Sequence, residues 1–178
     1  MKRIFDFAKF LIFIAVLAGI TSWLGNYSAI EVAGNARVID GDSLVVDGQE
    51  VRLFGIDAPE YRQICNLEKG KAGSYPCGAN SARYLRKMVG SGLVTCTGNG
   101  KDKYERLLAV CTIGETELNR EMVLQGWAVS FGDYVSEEQD AESRATGLWQ
   151  GDFELPSEWR RSEREKHSQG GLLGLFTW

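Results

Sequence analysis

Acidic residues and an arginine lie close together in a short stretch of the chain, residues 38–60, which reads VIDGDSLVVDGQEVRLFGIDAPE. Three carboxylates (Asp42, Asp57 and Glu60) and Arg52 fall within 19 residues of one another. Carboxylate oxygens are hard ligands that suit a divalent cation, and the planar fork of an arginine suits an anionic substrate. The stretch therefore indicates a site for a divalent cation and an anionic substrate.

A β-hairpin is predicted to bring these side chains together. Short β-prone runs lie on both sides of Asp47-Gly48, and an Asp-Gly pair between such runs favours a type I′ turn, which needs positive φ. Asp42 on the first arm then returns toward Asp57 at the exit of the second. Because Pro59 fixes φ and stops the second strand, we expect the residues around it to lie on a turn at the rim of the sheet.

Histidine content and charge limit the possible functions. The only histidine, His167, lies near the C-terminus, which excludes Ser-His-Asp hydrolysis and histidine-based ribonuclease chemistry. Residues 31–155 contain 13 lysines and arginines against 20 aspartates and glutamates, a net charge of −7. This argues against a protein that binds nucleic acid mainly through a broad basic surface. It is compatible with a local arginine pair beside a bound cation.

Further elements are predicted along the chain from the apolar pattern and from Gly and Pro positions. Strands are expected at 36–39, 45–46, 51–54, 93–97 and 106–113, and helices at 78–89, 117–125 and 137–146. A polar surface loop is expected at 61–76. This order of elements fits a small Greek-key barrel with helices packed on it.

Three motifs occur in one order within roughly residues 33–149: DGDS at 40–43, RLFGIDAPE at 52–60 and DKYER at 102–106. Together they resemble the staphylococcal nuclease (thermonuclease) family. The resemblance implies an α+β fold, a five-stranded Greek-key OB-fold barrel with about three packed helices. It also implies a nuclease, a hydrolase of phosphodiester bonds that cleaves DNA and/or RNA to 3′-phosphorylated products.

The resemblance also implies a metal site. Asp42 and Asp57 match the two aspartate ligands, and Ala58 would supply a backbone carbonyl. The implied cofactor is Ca²⁺, although a small oxygen site can take another divalent cation according to its size. Ala58 stands where the best-known member has a threonine, and a carbonyl ligand does not depend on that hydroxyl.

The catalytic residues implied by the resemblance are Arg52, Glu60 and Arg106. Glu60 is the general base or the residue that orients water, and the two arginines contact the phosphate and stabilise the transition state. Lys103 and Tyr104 are expected to bind substrate by charge and stacking.

One departure from the family pattern affects the expected activity. Glu105 stands before Arg106, where glycine is common. Glutamate takes positive φ less easily than glycine, and its charge could draw Arg106 away from the phosphate. The level of activity, rather than its type, is expected to depend on this position. The alternative function is a catalytically weak or inactive module that binds single-stranded nucleic acid or a protein partner, and a third is a purely structural ectodomain.

Four cysteines suit an oxidising compartment. Four cysteines allow three pairings, and the local solution joins Cys65 to Cys77 and Cys96 to Cys111. A zinc site is less favoured because the chain has no Cys-x-x-Cys. Unpaired core cysteines remain an alternative, mainly for the second pair.

Three segments are predicted: 1–30 as a signal anchor or signal peptide with a linker, 31–155 as the nuclease-like domain, and 156–178 as a charged tail. Lys2-Arg3 precede an apolar run at 10–24, which is typical of an export signal. We favour an uncleaved anchor that contacts the membrane and faces the periplasm or exterior, over a cleaved signal and secretion. The expected form is a monomer that acts on nucleic acid, with an exposed tail.

Overall fold

The computed structural model describes residues 9, 12–19, 29–67 and 72–173. Its contacts divide the chain into two units, Met1–Ile30 and Glu31–Trp178. In the first unit residues 12–19 are helical, and the rest of the apolar run at 10–24 lies outside the described residues. No helix within the described ranges is long and apolar enough to cross a membrane. The membrane anchor therefore stays a prediction.

The second unit is built on β-strands, and its described part contains ten. They are β1 (Ile30–Val38), β2 (Ser43–Val46), β3 (Gln49–Leu53), β4 (Ile56–Asp57), β5 (Cys65–Asn66), β6 (Ser74–Tyr75), β7 (Leu93–Lys101), β8 (Leu107–Ile113), β9 (Thr116–Glu117) and β10 (Val129–Ser130). The main sheet has the order β3-β2-β1-β7-β8-β9, and β3 also pairs with β8. The β3–β8 pairing is parallel and closes five strands into a barrel, as predicted.

The β2–β3 hairpin has the predicted turn. Asp47 and Gly48 have φ values of 47° and 83°, and Val46 pairs with Gln49 across the turn. A type I′ turn needs positive φ at both central residues, which an Asp-Gly pair provides. Alternate side chains of both strands, including Val46 and Val51, point into the barrel and are fully buried. The hairpin therefore has one face in the core and its open end at the rim.

Four helices are described around the barrel: α1 (Cys77–Val89), α2 (Leu118–Leu124), α3 (Val135–Ser143) and α4 (Pro156–Leu173), with a 3₁₀ helix at Gly147–Gln150. The first three lie close to the predicted ranges. Buried residues of α1 and α2, such as Leu85 and Met122, join the barrel interior in one hydrophobic core. The fourth helix occupies most of the segment predicted as a charged tail.

Both local disulfides are present. Cys65–Cys77 spans the loop after the hairpin, where the short strands β5 and β6 pair with each other. Cys96 faces Cys111 in the register of β7 and β8, and the two are bonded. The predicted pairing is confirmed, and the zinc and unpaired alternatives are wrong.

Candidate active site

Arg52 lies at the rim where β2, β3 and β8 meet. On β3 it pairs with Ser43 of β2 on one side and with Leu108 of β8 on the other. Its Nη1 donates to Asp42 Oδ1 at 2.9 Å, and its Nη2 lies 2.9 Å from both Asp42 Oδ2 and Asp57 Oδ1. The Arg52 side chain is about one-fifth exposed, whereas the side chains of Asp42 and Asp57 are buried. One arginine thus bridges the two predicted metal ligands.

Asp42 is held by two further donors. The Ser43 hydroxyl donates to its Oδ1 at 2.9 Å, and the Ala58 N–H donates to its Oδ2 at 3.0 Å. Burial raises the pKa of Asp42 to about 7, because the loss of solvation outweighs the effects of Arg52 and of the Ala58 N–H, which favour the charged form. Asp42 therefore changes charge near neutral pH.

Asp57 and Glu60 share a second arginine, Arg160 of α4. Arg160 Nη1 and Nη2 donate to Asp57 Oδ1 and Oδ2 at 3.0 and 2.8 Å. Its Nη1 also donates to Glu60 Oε1 at 3.1 Å. From the sequence we expected this arginine to lie in an exposed tail without a role. The only signal was four basic residues in segment 156–166, and that pattern does not show which side chain returns to the barrel.

Two glycines allow the turns that carry the carboxylates to approach α1. A Cβ on Gly78 would lie 1.7 Å from the carbonyl oxygen of Glu60, and a Cβ on Gly41 would lie 2.0 Å from Ser81 Oγ. Real Cβ atoms essentially never come so close. The backbones next to Asp42 and at Glu60 are therefore packed directly on the first half of α1, which fixes their positions.

Arg106 joins the same network from the start of β8. Its Nε and Nη2 donate to Asp102 Oδ2 at 2.8 and 2.6 Å, and its Nη1 donates to Ser43 Oγ at 3.2 Å. That hydroxyl in turn donates to Asp42. Desolvation opposes the charge on Asp102, but the hydrogen bonds from Arg106 and from backbone N–H groups prevail and lower the pKa of Asp102. The Ser43 hydroxyl thus links Arg106 to Asp42 by hydrogen bonds.

Glu105, in the loop before Arg106, has an unusual backbone conformation and its own ion pair. Glu105 has a φ of 65°, the left-handed conformation that glycine adopts more easily. Its carboxylate is exposed and lies 3.3 Å from Lys101 Nζ. The ion pair of Arg106 is with Asp102 instead. Glutamate in place of the common glycine therefore strains the backbone at position 105 and does not draw Arg106 away from Asp102.

The two predicted substrate-binding residues lie beside Arg106. Lys103 Nζ is 5.0 Å from the centre of the Tyr104 ring, and Arg106 Cζ is 5.5 Å from it. Tyr104 as a whole is 66% exposed. An exposed ring flanked by two cations has the chemistry of a platform for a nucleobase and its phosphate.

The oxygen donors partly fit a divalent cation. Asp42 and Asp57 converge on one nitrogen of Arg52 at 2.9 Å each, and such hard oxygens suit Ca²⁺. Within the described ranges, however, no three His, Cys, Asp or Glu side chains come together as a metal site. A cation would have to take the place of guanidinium nitrogens. Ala58 contacts Asp42 through its N–H, and its carbonyl as a ligand stays a prediction.

Comparisons with known proteins identify relatives of this chain. The chain is 34% identical over 142 residues to the succinoglycan biosynthesis protein ExoI of Rhizobium meliloti, covering 76% of this chain and 73% of that protein. It is 32% identical over 140 residues to an uncharacterized endonuclease of Haemophilus influenzae, covering 72% of each. It is 32% identical over 111 residues to the thermonuclease of Staphylococcus intermedius, covering 57% of this chain and 62% of that protein.

The sequence model described as staphylococcal nuclease homologue matches residues 50–151, more than half of the chain. The matched range contains Arg52, Asp57, Glu60 and Arg106, and it ends before Arg160. The relatives and the matched range, together with the closed barrel and the arginine–carboxylate cluster at its rim, lead to one assignment: the chain belongs to the staphylococcal nuclease family.

Proposed function

We propose that this chain is a Ca²⁺-dependent phosphodiester hydrolase that cleaves DNA and/or RNA to 3′-phosphorylated products. The observation that carries the proposal is the bridging of Asp42 and Asp57 by Arg52, at 2.9 Å to each, beside Glu60 and Arg106. Relatives named endonuclease and thermonuclease support the same reaction class.

The two family arginines are suited to the phosphate. Arg52 and Arg106 are each about one-fifth exposed, so an anion can reach guanidiniums that carboxylates already hold in place. A planar guanidinium can donate to two phosphoryl oxygens at once and stays charged at any working pH. Because both groups are fixed before substrate arrives, they stabilise charge that develops in the transition state without first reorganising.

Glu60 is the proposed proton acceptor. Its carboxylate is about one-third exposed, so water can reach it, and its backbone is fixed against α1. In the proposed reaction Glu60 removes a proton from the attacking water. A cation bound by Asp42 and Asp57 would add charge neutralisation at the phosphoryl oxygens. Tyr104 and Lys103 hold the neighbouring nucleotide by stacking and charge.

Cleavage of single-stranded DNA by the full chain tests this proposal. We expect cleavage with Ca²⁺, none with EDTA, and products that carry a 3′-phosphate by mass spectrometry. Arg52→Ala should lower the rate by at least about 10²-fold, as for the loss of one charge-stabilising donor. Arg37→Ala is the matched control, because Arg37 is an exposed arginine of the same sheet, on β1, which β2 separates from β3. Absence of cleavage by the folded, disulfide-bonded chain would favour the binding module.

We also propose that the domain works outside the cytoplasm, held by its N-terminal segment or released from it. Two disulfides support this location, since such bonds persist in oxidising compartments. Protease added after the outer envelope is opened, with the cytoplasmic membrane left intact, should degrade the chain if the domain is outside the cytoplasm. Protection until the cytoplasmic membrane is lysed would contradict this location.

A further inference from the structure

Arg160 brings a positive charge from outside the family-matched range into the carboxylate cluster. It contacts both oxygens of Asp57 and one oxygen of Glu60, all within 3.1 Å. Partial burial opposes its charge, but hydrogen bonds and attraction from Asp57 and Glu60 prevail and raise the pKa of Arg160. The guanidinium therefore stays a cation at every pH of interest.

The segment that leads into α4 is fixed to the same turn as Glu60. The N–H of Gln63 donates to the carbonyl of Glu60 at 2.7 Å, and its side-chain Nε2 donates to the carbonyl of Glu154 at 2.6 Å. The N–H of Asn66 donates to the carbonyl of Asp152 at 2.9 Å. Gln63 is completely buried. Arg160 thus reaches the cluster from an anchored helix.

Arg160 opposes the binding of a divalent cation in two ways: it reduces the negative charge of the site, and it occupies carboxylate oxygens that the cation would need. Asp42, Asp57 and Glu60 with Arg52 alone would have a net charge of about −2 when ionised, and Arg160 reduces it to about −1. Arg160 also donates to both Asp57 oxygens, which are the oxygens that a cation would need. A guanidinium and a divalent cation at these oxygens therefore exclude each other.

We propose that Arg160 is an intramolecular cation that competes with a divalent cation for Asp57 and Glu60, so that the C-terminal helix sets the cation affinity of the site. This inference rests on the cation site of the proposed function. In this proposal α4 controls cation binding, which residues of the barrel alone would not do.

Calorimetric titration of the full chain with Ca²⁺, without nucleic acid, tests the competition. Arg160→Gln should bind Ca²⁺ at least about tenfold more tightly than the wild type, because a neighbouring charge changes the affinity of a carboxylate for a proton by 10-fold or more. Arg160→Lys keeps the charge but loses the paired donors to the two Asp57 oxygens, so its Ca²⁺ affinity should lie between those of the wild type and Arg160→Gln. Arg161→Gln is the matched control, since Arg161 is an exposed neighbour on α4, and it should leave the affinity unchanged.

A second measurement uses the wild type and so does not depend on the folding of a variant. Saturating Ca²⁺ should shift the NMR signal of the Arg160 side-chain N–H, as its carboxylate partners are taken, and leave that of Arg161 in place. An unchanged Arg160 signal at saturation, or equal or weaker Ca²⁺ binding by folded Arg160→Gln, would overturn the inference. Ca²⁺-dependent cleavage alongside that result would leave the proposed function standing. Absence of Ca²⁺ binding in every variant would overturn both.

Discussion

Arg52 and Asp42 should be coupled by a measurable free energy in the folded barrel. Arg52 holds both oxygens of Asp42 at 2.9 Å, and the Asp42 side chain is only 4% exposed. Two charges about 4 Å apart attract by about 4 kcal/mol at an effective dielectric constant of 20. Removing one partner of a buried pair costs about 3–5 kcal/mol. We therefore expect the pair to be worth about 3 kcal/mol when Asp42 is ionised.

A double-mutant cycle isolates this value. Arg52→Ala also removes the bond to Asp57, but the difference between its effects in wild-type and Asp42→Asn backgrounds contains only the Arg52–Asp42 coupling. Urea unfolding gives the free energy of unfolding of each of the four proteins by linear extrapolation. At pH 8 the coupling should be about 3 kcal/mol. At pH 5 it should fall below about 1 kcal/mol, because Asp42, with a pKa of about 7, is then protonated.

Two results would refute this reasoning. A coupling below about 0.5 kcal/mol at pH 8 would show that the contact does not stabilise the fold. Equal coupling at pH 5 and pH 8 would show that Asp42 stays ionised in both, so that its pKa is not raised. The control cycle pairs Arg37→Ala with Asp42→Asn and should give no coupling, since Arg37 is exposed on β1.

Two further predictions follow from the same region. The folded-state pKa of Asp42 is about 7 and its ordinary value is 3.8, so between these pH values the folded state binds more protons than the unfolded state. The free energy of unfolding of the wild type, measured against Asp42→Asn, should therefore fall as pH rises from 3.8 through about 7; a rise would contradict the assignment. Glu105→Gly should raise the free energy of unfolding by about 0.5–1 kcal/mol, because it relieves the strain of a φ of 65°. Glu105→Ala loses the same exposed ion pair but keeps the Cβ, and an equal gain in that variant would exclude backbone strain as the cause.

The parts of the fold that could be predicted are those determined by residues close together in the sequence or on paired strands. The Asp47-Gly48 turn, the strands on both sides of it and the helix after Cys77 depend on local conformational preference and on hydrophobic spacing. The disulfide Cys96–Cys111 follows from two strands that pair directly. Each of these features is determined by residues near one another in sequence or by neighbouring strands.

The sequence identified the residues of the candidate site, but not the side chains that each of them contacts. Motif residues such as Asp42, Asp57 and Arg52 can be named from the sequence, because a family resemblance refers to residues and their order. Which arginine pairs with which carboxylate depends on side-chain positions. Asp102 pairs with Arg106, whereas Glu105, with its left-handed backbone, pairs with Lys101.

The sequence by itself determined the hairpin, the order of strands and helices and the chemical types available at the rim, because alternation of apolar residues and turn chemistry are local properties. The closed barrel was implied by the family resemblance. Only the tertiary structure placed Arg160 on Asp57 and Glu60, which are 103 and 100 residues away in sequence. Such a contact depends on how the segment before α4 packs on the disulfide-bonded loop. No periodicity within α4 records that packing, since one charged side chain among several on an exposed helix gives the same pattern whether or not it finds a partner.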